Sequence, residues 1–71
     1  MAATIMAEVW DEKMTKWKAL ASFNSFDAFF PYAKEFKIAE WDRRLRVHIP
    51  GSFVLTVEQR ALIGSLGIER F

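Results

Sequence analysis

Cysteine is absent from this 71-residue sequence, at a length where a covalent or metal staple is often what makes a fold affordable. A chain of this size hides only about 60% of its unfolded surface on folding. Small domains commonly add disulfides or a structural metal for that reason. Neither is available here, since there is no thiol and a single histidine, His48, leaves a zinc cage without its usual ligands. Stability must therefore come from apolar burial, and with 52% hydrophobic residues, three Trp and seven Phe, the material is abundant. It is more than so small a body encloses easily. Part of it is expected at the surface, where it would meet a partner.

Only three Gly and two Pro occur, and there is no repeat or low-complexity run, so one domain without a linker is expected over residues 1–71. Ten basic against nine acidic residues give a net charge of +1. That balance removes the global positive field of a nonspecific nucleic-acid binder, so any phosphate-binding site would have to be local. Asp11, Glu12 and Lys13 interrupt the first apolar stretch, and no run is long enough to span a bilayer. Residues 1–9 carry Glu8 and no basic segment, which argues against a signal peptide. A cytoplasmic protein with no membrane partner is the expectation, and the lack of cysteine is compatible with it.

Met6, Trp10, Met14, Trp17 and Ala21 recur at spacings of four and three, which predicts an amphipathic helix over residues 5–21 with Thr4 as a cap. Acidic residues gather in its first half and lysines in its second, as the helix macrodipole prefers. Asn24 or Ser25 can cap a second helix over residues 25–34, kinked or restarted at Pro31.

Leu45, Val47 and Ile49 alternate with Arg44, Arg46 and His48, and Phe36 and Ile38 alternate with Lys37 and Ala39. A hairpin over residues 36–49 turning at Asp42 and Arg43 would place every apolar pair on one face. Ile38, Trp41 and Leu45 would also line one face of a helix, so the two readings compete there. Thr56 followed by Gln59 is a capping box that starts a last helix, which Gly67 stops. Residues 68–71 then form a short strand or a docked tail. The sequence thus predicts a compact α+β domain in the order helix, helix, β-hairpin, helix, with a possible short C-terminal strand.

Catalytic constellations are not found. His48 is the only imidazole, and Ser52 nearby has no orienting third group. Glu8, Asp11 and Glu12 lie among lysines, where a solvated face is expected rather than a tuned acid/base pair. His48 with Glu40 or Asp42 has no recognised metal-ligand spacing. Gly64-x-x-Gly67 matches the phosphate clamp of KH modules in outline, but it has no basic residue between the glycines, and Gly67 is accounted for as a helix stop. No enzyme, metal or cofactor is expected.

The outward face of the predicted hairpin is more informative. It would present Lys37, Trp41, Arg43, Arg44, Arg46 and His48 as a basic, aromatic partner-binding surface. Facing away from the apolar side, these residues should matter for binding and hardly for folding. Trp10, Met14 and Trp17 form a second candidate interface, although a Met and aromatic stripe at helical spacing is more often core. The expected function is a non-enzymatic protein-protein interaction module, an accessory or inhibitor protein of the kind phages encode. It would occupy a larger partner's surface or assemble into a homo-oligomer. A nucleic-acid-binding module using the basic hairpin is the alternative, separable by the salt dependence of binding.

Overall fold

Ile5, Ala7 and Val9 are buried along one side of strand β1 (Ile5–Asp11), while Met6, Glu8 and Trp10 point to the other. This alternation, and not the spacing of Met6, Trp10, Met14 and Trp17, is what the core reads. The expected helix over residues 5–21 is therefore a β-hairpin, in which β1 pairs antiparallel with β2 (Lys16–Phe23). Thr4 leads into a strand and caps no helix. At the turn the Asp11 carboxylate accepts the amides of Lys13 and Met14 at 2.9 and 3.1 Å, and Thr15 adopts a left-handed φ of 49°. A side chain thus closes the reversal that glycine or Asn-Gly would usually announce.

The computed structural model describes residues 4–71, so the first three residues of the 1–9 stretch lie outside the described residues. After the hairpin come α1 (Phe26–Ala39), β3 (Leu45–His48), α2 (Val57–Ser65) and β4 (Glu69–Arg70). The described residues thus form a small α+β domain with two helices and a four-stranded mixed sheet in the order β2-β1-β3-β4. The β1–β3 pair is antiparallel and the β3–β4 pair parallel.

Ser25 caps α1 through its hydroxyl, which accepts the Ala28 amide at 3.2 Å. The helix neither stops near residue 34 nor restarts at Pro31. It runs through Pro31 to Ala39, because Phe29, Ala33 and Phe36 keep one stripe packed on the core and the Glu40 amide closes the end on the Phe36 carbonyl. The predicted hairpin over residues 36–49 is corrected accordingly. Phe36 and Ile38 belong to the last turn of α1, and β3 finds its partner in β1 instead.

Helix α2 has the capping box in full: the Gln59 amide donates to Thr56 Oγ1 at 3.1 Å and the Thr56 amide to Gln59 Oε1 at 2.9 Å. It ends with Gly67 at φ 69°, the Gly67 amide reaching Gly64 O at 3.0 Å and the Ile68 amide reaching Ile63 O at 3.3 Å. Those two bonds are a Schellman cap, which needs the left-handed residue that glycine supplies.

Both helix connections, β2 to β3 and β3 to β4, join parallel strands and advance in the same direction across the sheet. Crossovers of one hand advancing in one direction lay their helices on the same face. Phe29 and Ala33 of α1 and Ile63 of α2 accordingly close on Ile5, Ala7, Val9, Leu45 and Val47. Among the described residues no helix lies on the opposite face of the sheet. It is this bare face that positions the candidate site.

Candidate interaction surface

Cross-strand register arranges the bare face in rows. Trp17 on β2 lies opposite Trp10 on β1, and the Trp10 amide donates to the Arg44 carbonyl just before β3 at 3.0 Å. The next row runs Ala19, Glu8, Arg46, Glu69 across all four strands. Met6 and His48 pair in the row after it, with Ser22 opposite Met6. Phe71 is held beside them by its amide, which donates to Val47 O at 3.0 Å.

The two tryptophan rings meet edge to face, centroids 5.4 Å apart at 70°. The Arg44 guanidinium lies 5.5 Å from the Trp10 centroid and 5.0 Å from that of Trp17. Arg46 sits deeper. Its guanidinium is 4.4 Å from the Trp17 centroid and 3.9 Å from that of Phe71, and its Nε donates to Glu8 Oε1 at 2.7 Å. The Arg46 and Glu8 side chains are only 27% and 18% exposed, whereas Arg44 and Glu69, paired at 3.0 Å, are half exposed. The exposed pair adds little to stability, under about 1 kcal/mol. The sheltered one is a structural clasp.

His48 Nδ1 lies 2.7 Å from the Phe71 carbonyl. Because that oxygen only accepts, the ring donates to it from Nδ1. On the other side of the β1–β2 hairpin, the side of Val9, Lys18 pairs with Asp11 at 2.7 Å. The hydrogen bond from the Lys18 ammonium, helped by the Met14 and Lys13 amides, holds the Asp11 carboxyl below its ordinary value.

The six basic-surface residues divide. Arg44, Arg46 and His48 lie on the bare sheet face. Lys37 is in the last turn of α1, and Trp41 and Arg43 belong to the α1–β3 connection: Lys37 Nζ donates to Arg43 O at 2.9 Å and Arg43 pairs with Glu40 at 3.3 Å. Trp41 stands there 78% exposed. Of the second candidate set, Met14 is in the β1–β2 turn, while Trp10 and Trp17 join the arginines. Two surfaces that the sequence presents as separate are thus partly one. The sequence places Glu8 on a solvated face with Asp11 and Glu12, whereas it is sheltered against Arg46; Glu69 and Phe71 carry no chemical signal in the sequence. The only signal for the three positions is alternation, Glu8 between Ala7 and Val9, and Phe71 two positions after Glu69.

Among the described residues no group of His, Asp or Glu side chains gathers as a metal site, and no helix is long and apolar enough to cross a membrane. Comparison with protein-family models, curated proteins and solved structures finds no match to this chain.

Proposed function

We propose that this chain is a small, non-enzymatic protein-protein interaction module that binds through the bare sheet face, acting as an accessory or inhibitor protein on a larger partner or by assembling with its own kind. The observation that carries this reading is the preformed stack of Trp10, Trp17, Arg44 and Arg46 on a face that no helix covers. Trp, Arg, Met and Phe are the residue types enriched where proteins meet. The stack is already assembled in the free chain, so little side-chain entropy is left to lose on binding.

Nucleic acid is the second reading, favoured by the same rings, since base stacking beside arginine is how single strands are held. Charge weighs against it. Arg44 and Arg46 are each already paired with a carboxylate, from Glu69 and Glu8, so the face has no excess of positive charge for phosphate. The test is a photo-crosslinking side chain placed at Ala19, which is exposed in the middle row. In cells that express the chain, capture of a discrete protein, lost when Trp10 and Trp17 are both replaced by Ala, is the expected result. Capture of nucleic acid alone, with binding that falls steeply as salt rises, would overturn it.

A further inference from the structure

We infer that the β3 edge carrying Arg44 and Arg46 is a docking groove for an extended acidic-x-aromatic segment of a partner protein, held closed in this structure by the chain's own residues 69–71. The inference rests on the reading of the bare sheet face as a protein-binding surface, and it names the chemistry of the partner.

The present occupant defines that chemistry. Glu69 places a carboxylate on Arg44 at 3.0 Å, and two residues later Phe71 places a ring 3.9 Å from the Arg46 guanidinium. Between them Arg70 only pairs with Val47. An extended chain presents residues i and i+2 on one face, so a carboxylate and a ring at that spacing are what the two arginines accept. The backbone contribution is strand addition, parallel to β3.

The occupant is held thinly. Its strand is two residues long, and Glu69, Arg70 and Phe71 are all exposed. The chain is anchored up to Ile68, which is buried in the core, so residues 69–71 can leave without opening it. When they leave, the outer edge of β3 and both guanidinium groups are uncovered together. A partner segment of the same chemistry would take their place, and while closed the tail competes with it.

The probe is a fluorescently labelled synthetic peptide with the sequence of residues 66–71, titrated against the full chain and against the full-chain variant carrying Glu69→Ala and Phe71→Ala. The variant has lost the internal competitor, so it should bind about tenfold or more tightly than wild type, if the tail is closed at least nine-tenths of the time. A peptide with both residues replaced by Ala should not bind either protein. A folded variant that binds no peptide at millimolar concentration would overturn the proposal. Should the variant not fold, wild type is titrated by NMR instead. Shifts confined to residues 44–48 and the Trp17 indole support the groove, and their absence overturns it. Concentration-dependent dimerisation of wild type that the double variant loses would make a second copy the occupant and overturn the separate partner. Protein capture at Ala19 without peptide binding removes this inference and leaves the proposed function standing. Capture of nucleic acid alone at Ala19 removes both.

Discussion

Arg46 and Glu8, 38 positions apart in the sequence, are joined by a 2.7 Å hydrogen bond that ties β3 to β1 across the bare face of the sheet. Charge reversal at Arg46 would set a third carboxylate beside Glu8 and Glu69 and empty the space between Trp17 and Phe71. Arg46→Glu should cost about 2 kcal/mol, the scale of a lost charged hydrogen bond in a sheltered site. Arg44→Glu, at an exposed pair, should cost less than about 1 kcal/mol. Chemical denaturation of the two single variants checks this, and equal losses would mean that Arg46 is no clasp. The unequal losses expected would keep, at Arg44, the expectation that basic residues here hardly affect folding and revise it at Arg46.

The cap of α2 gives a second outcome. Thr56→Ala removes the acceptor for the Gln59 amide and breaks the reciprocal bond. The loss should be about 1 kcal/mol. For a domain of this length that is a fall in Tm of roughly 4–8 °C. A thermal melt matching wild type would show that the helix start is held by something else.

The helix caps were legible in the sequence because they are local. Thr56 and Gln59, Ser25, and Gly67 each act within one helical turn, so their chemistry is written in adjacent positions. The alternation of β3 was legible for the same reason. Its partner was not, because nothing near Arg46 points to a strand 38 positions upstream. Trp10 and Trp17 misled for another reason. A separation of seven is two helical turns, and it is also the distance between facing residues of a hairpin around a turn at residues 12–15. Only the alternation of Ile5, Ala7 and Val9 separates the two readings. The joining of Trp10 and Trp17 with Arg44 and Arg46 then follows from topology, which no local pattern records.

Asp11 gives a pH-dependent outcome. Its carboxyl is held below its ordinary value, first by the Lys18 ammonium and then by the Met14 and Lys13 amides. A folded value below the unfolded one means that this interaction stabilises the fold fully above the unfolded value, and the contribution fades as pH falls through the folded one. Replacing Lys18 by Ala should raise the Asp11 titration midpoint toward the ordinary value, as followed by NMR of its side-chain carboxyl carbon. A midpoint that does not move would assign the shift to the turn amides alone.

Trp17 is where folding and binding can be told apart. Its ring packs edge to face on Trp10 and receives both guanidinium groups, yet β2 is an edge strand and contributes none of the fully buried side chains. Trp17→Ala deletes one aromatic pair, at about 0.5–1.5 kcal/mol, and two cation-π contacts of about 0.5–1 kcal/mol each at partly exposed sites. The three share one ring and are not additive, so a loss of about 1–2 kcal/mol in stability is expected. Binding should suffer more, by about 2 kcal/mol or beyond, because an aromatic anchor at the centre of an interface is a common hot spot. Trp41→Ala is the control: its ring is equally aromatic and far more exposed, but it stands on the α1–β3 connection and not on a strand of the bare face. It should leave both stability and binding to the captured partner nearly unchanged. Isothermal titration of both variants, with melts run beside it, separates the outcomes. If Trp41→Ala weakens binding and Trp17→Ala does not, the partner sits on the loop at the end of α1, and the bare face of the sheet is not the interface.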